Sequence, residues 1–233
     1  MLVNGAMVLP DPSGALFWPK EQTLVVADMH LEKAATLARR GAGFLPPYDT
    51  RETLRVLEGL MRRHAPKRLI ALGDAFHDAQ AADRMPDGEA ARLRKLTAAT
   101  EWIWITGNHD PVAPLHLGGR AEAVVEIGPL VFRHDPSQAA GLRGADGEVA
   151  GHLHPKASVI VRGQRLSRPC FVTDTRRMVV PAFGAFTGGL DVFDPAIRGL
   201  FRRDFTVFLT GRDKVHSFPA GRLERSTPAI SKT

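Results

Sequence analysis

Five short clusters of aspartate, histidine and asparagine interrupt the first 155 residues, and each follows an apolar run. Asp28-Met29-His30 follows Leu24-Val25-Val26-Ala27, and Gly73-Asp74-Ala75-Phe76-His77-Asp78 follows residues 68–72. Gly107-Asn108-His109-Asp110 comes after Trp102-Ile103-Trp104-Ile105, His134-Asp135-Pro136 after Leu130-Val131-Phe132, and Gly151-His152-Leu153-His154-Pro155 after Glu148-Val149-Ala150. Short apolar runs bounded by such breaks read as buried strands. Between them, residues 31–40 and 88–100 carry helical patterns. Asp49 with Glu52 has the spacing of a capping box, and Leu54, Leu57, Leu60 and Met61 then recur at helical intervals. The alternation predicts an α/β fold. It also places the polar clusters at the carboxyl ends of strands, where such sheets gather their ligands.

After His154 the texture changes. Residues 158–161, 170–172, 178–180 and 205–209 are strand-like, with Gly, Pro and Arg between them and no long helix. The expectation is one domain over residues 1–220, built on two packed mixed β-sheets flanked by helices, with residues 221–233 as a flexible tail. The single cysteine, Cys170, excludes an intramolecular disulfide and a cysteine-rich zinc site. The segment before Asp28 has no basic start and is broken by Pro10, Pro12 and Pro19, so it does not read as a secretory signal. No stretch approaches the roughly 18 to 20 apolar residues of a membrane span. A cytoplasmic address is expected. The net charge of +6 suits a polyanionic partner and supports nothing more specific.

Seven residues in the clusters are of types that ligate metals: Asp28, His30, Asp74, Asn108, His134, His152 and His154. Mixed nitrogen and oxygen donors suit Mn, Fe or Zn better than Ca. Taken singly, each cluster is ordinary turn chemistry. His64 and His116 read as satisfied structural histidines. Order and spacing carry more. Asp-x-His, Gly-Asp, Gly-Asn-His-Asp, an isolated His and Gly-His-x-His occur in succession across residues 28–155, and this succession resembles the calcineurin-like metallophosphoesterases. Two further runs, Ala27-Asp28-Met29-His30-Leu31-Glu32-Lys33-Ala34 and Pro181-Ala182-Phe183-Gly184-Ala185-Phe186-Thr187-Gly188-Gly189-Leu190, resemble the bacterial ligase-associated DNA damage response phosphoesterases of that family.

The resemblance implies a four-layer sandwich and a binuclear phosphodiesterase, an endonuclease of DNA repair, that attacks phosphorus with a metal-bridging hydroxide. It implies two divalent ions, Mn being the expected metal and Fe or Zn compatible. One ion would take Asp28, His30, Asp74 and His154; the other would take Asp74, Asn108, His134 and His152, with Asp74 shared. His109 would protonate the leaving group and Asp110 would orient its imidazole. The implied partners are DNA, and a DNA ligase, a helicase and an exonuclease of the same repair system. His77-Asp78 departs from the Asp-Arg found at this block in most of the superfamily, which weakens any protein-phosphatase reading; His77 is a candidate substrate contact. For a nucleic-acid backbone the candidate cations are Arg39, Arg40 and Arg165, with Arg162, Arg168, Arg176 and Arg177 behind them. No basic stretch is interleaved with aromatics. The same residues leave open a phosphomonoesterase or nucleotide phosphoesterase, and a non-catalytic scaffold of the same fold.

Overall fold

The computed structural model describes residues 1–136, 147–201 and 204–225. A small antiparallel pair, β1 (Leu2–Val3) and β2 (Ala6–Met7), leads into the first sheet. That sheet has the order β3 (Leu9–Pro10), β4 (Leu16–Trp18), β5 (Thr23–Val26), β6 (Arg68–Leu72), β7 (Glu101–Ile105), β8 (Arg120–Glu122). From β5 to β8 the pairing is parallel, so the carboxyl ends of these strands share one edge. Helices α1 (Lys33–Arg39), α2 (Asp49–His64) and α3 (Asp87–Ala98) provide the crossovers.

The second sheet is mixed. Its strands are β9 (Val124–Ile127), β10 (Leu130–Arg133), β11 (Gly147–Ala150), β12 (Lys156–Val161), β13 (Gln164–Thr173), β14 (Arg177–Val179), β15 (Thr206–Thr210) and β16 (Val215–Pro219). They run β16-β15-β13-β14-β11-β10-β9, with β12 paired to the outer part of β13. A single-turn helix, α4 (Pro195–Arg198), lies on the outer side.

Side-chain alternation explains the layering. In β5, β6 and β7, Leu24, Val26, Leu69, Ala71, Trp102 and Trp104 face the helices, where Leu54, Leu57, Leu60 and Leu93 close the core. The intervening Val25, Ile70, Leu72, Ile103 and Ile105 face the second sheet and meet Phe132, Val149, Phe171 and Met178. On the far side of that sheet, Cys170, Val172 and Val179 pack with Ile197, Leu200 and Phe201. The result is helices, sheet, sheet and an outer cover, as the sequence implied.

Three local readings change. Asp49 does not cap its own helix: its carboxylate accepts the Ala34 backbone N–H at 3.0 Å, at the start of α1. Residues 221–224 of the expected tail are attached, with a 3₁₀ turn at Ala220–Arg222 and Glu224 N–H donating to the Ser158 carbonyl at 2.8 Å. Residues 226–233 lie outside the described residues. Arg177, read as a candidate phosphate contact, is buried. Its guanidinium meets Glu148 across the β11–β14 ladder at 2.6 Å, with side chains 2% and 0% exposed.

Arg133 supplies a second cation to Glu148 at 3.3 Å. Such a buried set matters most when it is broken, because the surviving charges keep their desolvation cost. Glu148→Ala is therefore expected to lower the unfolding free energy by about 3 to 5 kcal/mol in urea titration. The apolar pair Glu148→Leu with Arg177→Met should lose less.

Candidate metal centre

The strand ends deliver the donors to one place. Asp28 follows β5, Asp74 follows β6 and Asn108 follows β7; His134 follows β10, and His152 and His154 follow β11. The first sheet's loops run side by side beyond its edge. Asp28 N–H donates to the Gly73 carbonyl at 3.1 Å and His30 N–H to the Asp74 carbonyl at 3.0 Å. A side chain ties the two sheets together here: the Asp28 carboxylate accepts the His152 backbone N–H at 3.0 Å. His134 reaches back across, its Nδ1 donating to the Leu72 carbonyl at 3.1 Å.

The expected ligands form two clusters, and a third trio, His30–His77–His109, shares His30 with the first. In one, His30 Nε2 and His154 Nε2 face each other at 3.3 Å, and His154 Nε2 lies 3.3 Å from Asp28 Oδ1. In the other, His134 Nε2 is 3.3 Å from Asp74 Oδ2, 3.1 Å from Asn108 Oδ1 and 3.2 Å from His152 Nδ1. In each trio, Asp28–His30–His154 and Asp74–His134–His152, the three donor atoms lie within 4.8 Å of one another. A facing pair of ring nitrogens at this distance shares a single proton, or none when both lone pairs are given to a cation. A cation about 2.1 Å from two donors holds them about 3.0 to 3.4 Å apart, so the spacing and chemistry fit divalent metal binding. All seven expected ligands are thus brought together, Asp74 standing in the second cluster.

The backbone is strained to achieve this. Asp28, His30, Asp74, His152 and His154 all have positive φ, between 44° and 69°. Left-handed backbone is costly for residues with a Cβ and persists only where the surroundings enforce it. Two glycines make room. A Cβ at Gly107 would overlap the Asp74 carboxylate, and one at Gly73 would overlap the His134 ring.

The electrostatics of the two clusters differ. Burial, reinforced by His154, holds the His30 imidazole down to about 3. Burial also opposes charge on His134, but hydrogen bonding to Asp74 and the Asp28 carboxylate raise it to about 9. Asp74, against its own burial, is held down to about 2 by His134.

His109 is exposed beside the clusters, with its backbone N–H on Asp74 Oδ1 at 2.9 Å and its ring Nδ1 donating to the His77 carbonyl at 3.0 Å. Asp110 does not orient that imidazole. Its carboxylate accepts the Phe76 and Gly107 backbone N–H groups at 3.1 and 3.2 Å, inside the protein. Burial, and then the charge of Asp74, push its carboxyl up to about 6. The His77 carbonyl takes the orienting place expected of Asp110.

His77 itself lies at the edge of the centre, its Nδ1 3.3 Å from His30 Nδ1 and its ring stacked with His109 at 5.3 Å. Burial, then the charges of Lys33, His109 and Arg40, hold it down to about 4. Arg40 is exposed just past the end of α1, the helix that Lys33 opens. Arg39 is exposed at the end of α1. Arg165 is far out on the β12–β13 hairpin, opposite Ile160, with its guanidinium on the Ser158 hydroxyl at 3.3 Å. Arg162 and Arg168 are on the same hairpin, and Arg176 lies with Arg177 at the end of β14 remote from the centre. Asp78 turns away to Arg84 at 2.6 Å and the Thr36 hydroxyl at 2.7 Å.

Comparison with known proteins agrees with this geometry. Residues 22–161 match the calcineurin-like phosphoesterase family. Among solved structures, the chain is similar to the nuclease MPE of Pseudomonas putida, with 29% identity and a TM-score of 0.71 over 93% of this chain and 98% of that one. It also matches YfcE, a phosphoesterase from E. coli, with 12% identity and a TM-score of 0.42 over 84% and 97% of the two chains. No curated protein matches it in sequence.

Gly107→Ala should lower stability by about 1 to 3 kcal/mol through overpacking, and weaken Mn²⁺ binding about tenfold or more by displacing Asp74; thermal melts and metal titration read the two effects. Asp78 gives a pH signature. Although burial raises it, Arg84 and Thr36 hold its carboxyl well below the usual carboxylate range. A depressed carboxyl stabilises the fold above its unfolded pKa of about 4 and loses that contribution as pH falls further. Asp78→Asn should therefore cost about 1 to 2 kcal/mol at neutral pH, and its deficit against the parent should shrink as pH is lowered from about 4 toward 2.

Proposed function

The chain belongs to the calcineurin-like phosphoesterase family, and from that premise we propose that it is a binuclear, metal-dependent phosphodiesterase acting on nucleic acid. The observation that carries the reading is the pair of three-donor clusters at adjoining strand ends, with an exposed histidine beside them. In this reading Asp28, His30, Asp74 and His154 hold one ion, and Asp74, Asn108, His134 and His152 hold the other. When bound, the two ions supply Lewis acidity and a nucleophile generated from water at neutral pH.

The protein's own groups do the rest. Only Asp28 and Asp74 among the ligands are carboxylates, so two dications keep a net positive centre that attracts a phosphate oxyanion. Asn108 contributes a neutral oxygen that anchors without cancelling this pull. His109 has Nδ1 committed to the His77 carbonyl, which leaves Nε2 for the substrate. Protonated there, the imidazole can steady the charge on phosphate and pass its proton to the leaving oxygen. Lys33, two residues beyond the Leu31 carbonyl that accepts the His77 N–H, brings positive charge to the same rim, as a polyanionic substrate requires.

Diester rather than monoester chemistry is supported by the similarity to a nuclease over nearly the full length of both chains. A DNA-repair setting, beside a DNA ligase, a helicase and an exonuclease, draws on the two runs that resemble the ligase-associated branch. Mn is the proposed ion.

Metal-stripped enzyme resupplied with Mn²⁺ should hydrolyse a chromogenic phosphodiester in preference to the matching monoester. His109→Ala should reduce that turnover about 10²- to 10⁴-fold while metal binding stays intact. A monoester preference would sink the diesterase reading, and undiminished turnover by the variant would remove His109 from its role.

A further inference from the structure

Two exposed aromatic rings stand together, one of them on a loop bonded to the Asp28 backbone. Tyr48 is 52% exposed and Phe186 43% exposed, their ring centroids 5.9 Å apart and their planes at 65°. They form an open corner, not a closed stack. Phe186 holds this position from strained backbone, with φ at 59°. Its loop is fastened to the metal-ligand loop itself: Phe183 N–H donates to the Ala27 carbonyl at 2.8 Å and Gly184 N–H to the Asp28 carbonyl at 3.2 Å. Ala185 N–H adds a bond to the Thr53 hydroxyl at 3.0 Å. A ring carried two residues beyond a bond to Asp28 is held in fixed relation to the loop that bears that carboxylate.

A cation borders the corner. Lys33 Nζ donates to the Phe186 carbonyl at 3.1 Å, joining residues 153 apart in sequence. Lys33 lies two residues after Leu31, whose carbonyl accepts the His77 backbone N–H at 3.0 Å at the edge of the centre. Aromatic faces next to a positive side chain and a phosphate-cleaving site match a ligand that alternates flat rings with phosphates. An apolar peptide would account for the rings and leave Lys33 unused.

We propose that Tyr48 and Phe186 form a stacking site for an unpaired nucleobase next to the scissile phosphate, with Lys33 on a flanking backbone phosphate. The inference rests on the phosphodiesterase reading above and adds a site to it. Stacking on an aromatic side chain is sequence-tolerant, so the site selects single-stranded or locally opened substrate and not a base sequence.

The test compares a single-stranded oligonucleotide with a small phosphodiester that carries no base. Phe186→Ala and Tyr48→Ala should each lower the ratio of kcat/KM, oligonucleotide over base-free diester, about tenfold or more. The loss should appear in the oligonucleotide KM, and Tyr48→Phe should restore it. Independently of turnover, an oligonucleotide containing 2-aminopurine should be quenched on binding the parent protein and stay bright with the double variant. Equal losses on both substrates, or undiminished quenching, would overturn the stacking site. Quenching by a parent protein that cleaves neither diester would support the site and contradict the phosphodiesterase reading instead.

Discussion

The bond from the His152 backbone N–H to the buried Asp28 carboxylate joins the edges of the two sheets, and the geometry of the metal centre depends on it. It ties the loop after β11 directly to the loop after β5, beside the backbone bond from Phe183 N–H to the Ala27 carbonyl. With it, His154 is brought to 3.3 Å from both Asp28 and His30. His134 makes the reciprocal crossing through the Leu72 carbonyl. The two sheets pack through apolar faces that carry no positional information at this precision. The polar ties at the rim supply it.

This arrangement is costly for a protein without cations. It buries two carboxylates and two imidazoles, and it holds five donor residues in left-handed backbone. Each departure destabilises the chain, and strain of this kind gathers at functional sites. Burial pushes the His30 imidazole toward neutrality, while Asp74 and Asp28, against burial, push His134 toward charge. Divalent ions, when bound, would accept the facing lone pairs. The fold supplies the offsetting stability elsewhere, chiefly in the apolar layers on either side of the first sheet.

Much of this was legible in the residues because strand ends are marked twice, once by the apolar run that stops and once by the polar cluster that begins. The runs before Asp28, Asp74 and Asn108 became adjacent parallel strands, so reading each one placed a candidate donor at the same sheet edge. The first strands of the chain were not legible, since two- or three-residue segments broken by Pro and Gly carry no period. Long-range pairing hid other features. Arg177 looks like any basic residue until β11 sets Glu148 beside it. Asp110 follows His109 directly, yet the turn aims its carboxylate at the Phe76 and Gly107 amides. Lys33, Tyr48 and Phe186 belong to three separate segments, and only the folded chain makes them neighbours.

The central claim is that two cations sit at the meeting of these strand ends. Crystals grown with Mn²⁺ and measured at the manganese absorption edge address it directly. The account predicts two anomalous peaks per chain, one among Asp28, His30 and His154 and the other among Asp74, Asn108, His134 and His152. A single peak, or peaks away from these donors, would contradict it.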